Sequence, residues 1–348
     1  MEKNIKNRII YLDCLRIISI FFMIMIHVAS ANWKKIPVAS LDWKAFTVYD
    51  GMARFCVPVF VMISGVLFLD KEKKYTYEKI KNNILRIVRV FLIWSFIYTV
   101  YKFKGNIFTG GELEDAIEYF LLGHSRFWFL WMIIGIYLLV PFLRKISEDK
   151  KLVESYIWMS FLFISISGML EAFWGEEHLI VQMIDELKIT FLGGYVGYFL
   201  LGHYLHEYEL KKETRGIVYV LGMVSVVVTI VGTIIISSTP AGATSKLLGY
   251  LRPNIVFIAA SVFLFFKQII KQEELKESWK KIIVNISDLC LGIYMVHTLV
   301  ESMLKKGGFT TLMFNGIFSV PILTSIIFLI SLGICYLLKK SVVLKNML

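Results

Sequence analysis

The stretch LDCLRIISIFFMIMIHV, Leu12 to Val28, reads as a membrane-spanning helix that carries three ionisable residues, Asp13, Arg16 and His27. At about 100° per residue, Arg16 and His27 differ by only about 20° around a helix, and Asp13 lies within about 60° of both. All three share one face. A rise of about 1.5 Å per residue separates Arg16 from His27 by roughly 16 Å along the axis. Ionisable groups at such depths are costly against lipid, so this face is expected to look into a polar cavity or a packed bundle interior. Asp13 and Arg16, at i and i+3, are also spaced to pair with each other.

The remainder of the chain sets the same solvent. Over 348 residues the sequence is 57% hydrophobic and only 19% charged, with mean hydropathy +0.66, far more apolar than a soluble domain requires. The net charge of +11 does not indicate a nucleic-acid partner, because Lys and Arg cluster in short segments between apolar runs. Cys14, Cys56, Cys290 and Cys335 all lie inside apolar runs, without CxxC or metal-ligand spacing, and are expected to be packing residues. No metal site is expected. The first span is long and charged and lacks a small-residue cleavage pattern, so it is expected to remain as the first helix.

Taking about 20 residues per crossing, ten spans are expected, near 9–29, 51–69, 84–101, 127–143, 155–173, 189–206, 216–236, 247–266, 286–304 and 319–338. An even number places both termini on one side. The termini and their alternate loops carry 23 Lys and Arg against 10 in the opposite loops, which predicts cytoplasmic termini. Arg16 is then deep and His27 lies towards the outer end. The longest connectors, around 30–50, 102–126 and 174–188, fall outside. The expected fold is an all-α polytopic membrane bundle, with residues 1–348 as one transmembrane domain and no fused soluble domain.

A second cluster opens the third span, NNILRIVRVFLIW, where Arg86 and Arg89 are again i and i+3. Two guanidiniums on one face suit a multiply charged anion, and they equally suit snorkelling at the membrane boundary. The preceding segment KEKKYTYEKIKNN adds Lys71, Lys73, Lys74, Lys79 and Lys81, which enrich anions at the surface.

Six segments together resemble the acyltransferase 3 family of ten-span bacterial membrane acyltransferases. They are LDCLRIISIFFMIMIHV with its Arg and His; FVMISGVLFL with Ser64 and Gly65; RIVR; RFWFLWMIIGIYLLVPFL; YFLLGHYL; and ISDLCLGIYMVHTLV with Tyr294 and His297. The resemblance implies transfer of an acyl group, acetyl foremost, from cytoplasmic acyl-CoA to a hydroxyl on an extracytoplasmic acceptor: a surface glycan, a lipid-linked sugar or a small molecule. It implies a multi-pass protein of the plasma membrane. His27 matches the family's essential histidine, a group that titrates near neutrality and can serve as general base or as acyl carrier. Arg16 matches the family's arginine and can orient CoA or steady an oxyanion. Arg86 and Arg89 match its basic third-span motif, suited to the CoA phosphates.

Other residues are candidates beside a plainer structural reading. Ser64 and Gly65 form a small pair that permits close helix approach as well as lining a site. His124, Arg126 and Trp128 open the fourth span, where they either bind acceptor or belong to an interfacial aromatic belt. Tyr294 and His297, mid-span, are supporting candidates, with a packing hydrogen bond as the alternative. Arg252, in an LRPNIVF break of span eight, and Glu171, at the end of span five, are acceptor-binding candidates. His203 and His206 read as interfacial. The competing classes are an exporter of polysaccharide or lipid-linked sugar and a ligand sensor without turnover. Pro58, Pro141, Pro253 and Pro321 lack the corresponding halves that transporter repeats show. Homo-oligomerisation is left open by the sequence.

Overall fold

The computed structural model describes residues 8–72, 76–103, 112–187, 193–240, 242–341 and 347, so Lys73 and Lys74 lie outside the described residues. Among these residues the fold is entirely helical, with no strand. Its helices are α1 (Ile10–Ser30), α2 (Leu41–Ala53), α3 (Cys56–Leu69), α4 (Tyr77–Phe103), α5 (Leu113–Leu122), α6 (Trp128–Ser147), α7 (Lys150–Ser160), α8 (Ser167–Trp174), α9 (Leu179–Glu186), α10 (Val196–Glu207), α11 (Lys212–Ser237), α12 (Pro253–Ile269), α13 (Glu277–Ser287), α14 (Cys290–Lys306) and α15 (Gly316–Lys340). A π-helical segment, Phe161–Ile166, joins α7 to α8.

Seven runs are long and apolar enough to cross a membrane, and an eighth joins them when the bent pair α13–α14 counts as one. α12 is apolar but shorter. The lipid-compatible surface is plainest on α11, where Ile217, Val220, Met223, Val224, Val227 and Val231 are exposed. An all-helical chain satisfies its backbone polar groups internally, which a bilayer demands.

Several boundaries differ from expectation. The connector around 30–50 contains α2, which the Ser40 hydroxyl caps by accepting from the Trp43 N–H at 3.1 Å. The connectors around 102–126 and 174–188 contain α5 and α9. Pro253 does not interrupt a helix: it stands in the first turn of α12, where its missing N–H costs nothing, with Arg252 as the cap residue. The ninth span is not straight but bends by 55° between α13 and α14. α10 begins only at Val196, and residues 189–192 of the expected sixth span lie outside the described residues. His203 is packed among the helices, 1% exposed.

With little hydrophobic drive between helices in lipid, close backbone approach has to come from small residues. α3 and α10 cross in this way. A Cβ on Gly65 would lie 1.8 Å from the Phe199 carbonyl oxygen, and one on Gly202 would lie 2.2 Å from that of Met62. Basic side chains then close helix ends: Arg144 Nη1 donates to the Phe68 and Asp70 carbonyls at 2.7 and 3.1 Å, and Lys267 Nζ to those of Leu205 and His206, both at 2.8 Å. We expect Gly65→Ala to lower stability by about 1–3 kcal/mol through overpacking. Gly135→Ala, whose Cβ meets nothing within 4 Å, should leave stability unchanged. Thermal denaturation of the detergent-purified variants checks the pair.

Candidate active site

α1 carries a distinct polar group at each end. At the His27 end, the imidazole stacks on that of His297 with ring centroids 5.3 Å apart and planes 17° from parallel. His297 is fully buried and both its nitrogens are engaged. Nδ1 lies 2.6 Å from the Tyr294 carbonyl oxygen, which only accepts, so Nδ1 carries the proton. Nε2 is then the acceptor for the Thr298 hydroxyl at 3.1 Å. The His27 ring, by contrast, makes no hydrogen bond to the described residues and is only part-buried. Of the stacked pair, His27 holds the nitrogen available to another molecule.

Arg126 organises the second layer. Its guanidinium pairs with Glu301 through Nη1 and, at 3.2 Å, through Nη2, and Nη1 also donates to Thr298 at 3.3 Å. The Tyr294 hydroxyl donates to the Arg126 carbonyl oxygen. Local chain geometry presents the guanidinium: His124 Nδ1 accepts the Arg126 N–H at 3.2 Å and caps a short turn, Ser125–Phe127, at the start of α6. On the other flank Arg54 pairs with Asp50 at 2.6 Å and lies 5.2 Å from the centroid of the Tyr250 ring. Tyr250 stacks on Trp128, at 5.9 Å and 28°. Arg126, Arg54 and His124 all lie within electrostatic range of the His27 ring.

A profile described as an acyltransferase domain matches residues 9–340. The chain belongs to the acyltransferase 3 family. Comparison with curated proteins and with solved structures returned no match.

The other sequence candidates of this acyltransferase 3 chain lie elsewhere. At the opposite end of α1, Asp13 is 2% exposed, accepts from the Ser287 hydroxyl at 2.5 Å, and stands 3.6 Å from Arg16 and 3.8 Å from Arg8. Arg8 and Lys339 both reach Asp288 at the bend between α13 and α14. Asp13 is therefore a partner of Arg16, tied also to α13, while Arg16 is part-exposed beside it. Arg86 and Arg89 are exposed on the first half of α4. Ser64 donates to the Phe60 carbonyl at 3.2 Å and lies 3.4 Å from the Tyr137 hydroxyl, within the α3–α6 packing. Glu171 and Arg252 line a separate cavity with Tyr195 and Tyr250.

The structure thus gathers His27, Tyr294, His297, His124, Arg126 and Trp128 at one end, and adds Asp50, Arg54, Thr298, Glu301 and Tyr250. Asp50 and Arg54 had a legible signal, an i, i+4 pair entering an apolar span. Glu301, four residues on from His297, shares its helical face, whereas Thr298, the next residue, is turned about 100° from it. Tyr250, in a loop, carried none. Replacing Glu301 by Ala leaves Arg126 unpaired beside the His297–Thr298 pair, and should lower acyl transfer by about tenfold or more. Arg126→Ala combined with Glu301→Ala should cost less than the two single losses multiplied, as a double-mutant cycle measures.

Proposed function

We propose that this acyltransferase 3 chain is a plasma-membrane O-acyltransferase that moves an acyl group, acetyl foremost, from cytoplasmic acyl-CoA to a hydroxyl of an extracytoplasmic glycan. The observation that carries the reading is the stacked histidine pair, in which one imidazole is fully engaged and the other free, flanked by two carboxylate-paired arginines. Family membership supplies the reaction type. Ten passes follow when α10, α12 and the bent α13–α14 pair each cross once, and the Lys and Arg distribution then puts both termini in the cytoplasm, with the His27 end outside. All of residues 1–348 serve this one transmembrane domain.

In the proposed step the acceptor hydroxyl oxygen attacks the thioester carbonyl carbon while His27 takes the hydroxyl proton. The tetrahedral oxyanion forms within reach of Arg126 or Arg54, cations fixed in place before substrate arrives. The carbon–sulfur bond then breaks, and the proton on His27 passes to the departing thiolate, giving the ester and CoA. An acyl-histidine route uses the same nitrogen as nucleophile. His297 orients the His27 ring by stacking and takes no proton itself, because both its nitrogens are occupied. Arg16, with Arg86 and Arg89 nearer the cytoplasm, receives the phosphates and pantetheine arm of the donor.

His27→Ala is expected to reduce label transfer from radiolabelled acetyl-CoA by about 10²–10⁴-fold, the usual contribution of a positioned proton-transfer group. Undiminished turnover in the purified, monodisperse variant overturns the assignment. Arg86→Ala with Arg89→Ala should raise KM for acetyl-CoA and leave kcat nearly unchanged, as loss of ground-state binding does. Steady-state kinetics at fixed acceptor separates the two parameters.

A further inference from the structure

A cavity of about 490 Å³ shares no residue with the His27 site. It is a groove floored by α10 and α12, with α7 and the π segment as one wall and the start of α11 as the other. Along α7 its lining runs from Glu154 to Ser165, about 16 Å of helical rise. α10 runs the opposite way beneath it: Tyr204 meets Glu154 at one end, and Gly197 abuts Ser160 further along. The lining between is apolar, with Ile157, Phe161, Leu201, Val256, Phe257 and Ala260. Trp158, on the rim, is 63% exposed, and Ile217 and Leu221 flank the lining residue Val218 on the exposed face of α11, so the groove opens between two lipid-facing spans. Charge gathers at the Glu154 end alone. Glu154 accepts from the Tyr204 hydroxyl at 2.7 Å and stands 3.7 Å from Lys150 Nζ, while Thr214 lines the same end and the first turn of α11 adds Lys212 and Glu213.

We infer that this groove seats one acyl chain of a bilayer glycerophospholipid whose head carries a primary ammonium, of the phosphatidylethanolamine type, with that head at Glu154 and Lys150. The dimensions fit. The hydrocarbon core of a bilayer is about 30 Å thick, so one leaflet is roughly 15 Å deep, and the groove matches that depth with its charged end in the first turns of α7 and α11, where head groups begin. In the proposed topology this is the cytoplasmic leaflet. The signs at the mouth decide the head. Lys150 and Lys212 stand beside Glu154 and Glu213, a balance that suits a zwitterion, phosphate towards lysine and ammonium towards Glu154, and gives a net anion no advantage. A trimethylammonium head has no N–H for Glu154. The aromatic faces it would seek are engaged, since Lys150 Nζ lies 5.0 Å from the Tyr208 ring centroid and 6.0 Å from that of Tyr204, and the two rings pack on each other at 5.0 Å. The bound chain also backs the neighbouring site: Tyr198 lines the groove and donates to the Tyr250 carbonyl at 2.6 Å, which holds the loop whose ring packs on Arg54. Binding of this lipid does not depend on the acyltransferase reading.

The test uses the full chain in lipid nanodiscs with a trace of phosphatidylethanolamine bearing a diazirine midway along one acyl chain, and maps photolabelled peptides by mass spectrometry. Labels are expected in 154–165, 197–205 and 256–260. Unlabelled phosphatidylethanolamine should displace the probe about tenfold more effectively than phosphatidylcholine or phosphatidylglycerol, the worth of one charge-assisted hydrogen bond. Ala260→Phe, which fills the groove, is expected to move the label to the exposed face of α11. Glu154→Gln keeps an acceptor for the Tyr204 hydroxyl and leaves the groove open, so it should retain the groove label while bringing phosphatidylethanolamine and phosphatidylcholine to parity. Equal displacement by all three lipids in the unaltered chain, or label confined there to the exposed face of α11, overturns the proposal. A preference for phosphatidylethanolamine that survives Glu154→Gln overturns the placement of its head.

Discussion

The contact between α3 and α10 is the constraint on which the rest of the bundle depends. Gly65 and Gly202 let two backbones touch, each glycine packed on a carbonyl of the opposite helix, at a separation that no side chain permits. In lipid this replaces the hydrophobic drive that assembles a soluble core. Its consequences run in two directions. α3 continues from α2, so the crossing fixes Asp50 and Arg54 near His27. α10, held by the same contact, sets the tyrosines that flank the second flank of the site: Tyr198 donates to the Tyr250 carbonyl at 2.6 Å and so holds the loop whose ring receives Arg54. One close approach thereby couples the cation beside His27 to the wall of the neighbouring cavity.

How legible this was differs between the two ends of α1. The helix itself followed from its apolar run, and spacing offered the pairing of Asp13 with Arg16, seen at 3.6 Å, as one of two readings. The joining of His27 to His297 did not follow from spacing, since stacking of two rings 270 positions apart depends on how α1 and α14 pack. The family resemblance named both residues but not their division of labour. That division comes from hydrogen bonds: the carbonyl of Tyr294 and the hydroxyl of Thr298 occupy one imidazole and leave the other free.

Helix ends were read less well than helix centres, for a physical reason. Hydropathy reports burial in the apolar layer, while α2, α5 and α9 sit in segments whose mixed composition gives no such signal. α2 starts at a Ser40 cap, and α9 at His178, which accepts from the Ile180 N–H at 3.3 Å. Pro253 misled in the opposite sense. Within a run of apolar residues it suggests an interruption, yet at the first turn of α12 it begins the helix and turns Arg252 towards the polar cavity. The placement of Arg252 in that cavity thus depends on a helix start that the hydropathy pattern hides.

The two arginines near His27 are each bound to a carboxylate, Arg54 to Asp50 and Arg126 to Glu301. Paired ions of this kind add little net stability, since desolvation offsets much of the attraction. Their value in a transfer site is positional. A guanidinium held by a carboxylate, as Arg126 is by Glu301 with Thr298 beside it and Arg54 by Asp50 with Tyr250 beside it, is fixed in place before any ligand arrives. Both fixed guanidiniums act electrostatically on the His27 ring, which no described residue engages by a hydrogen bond.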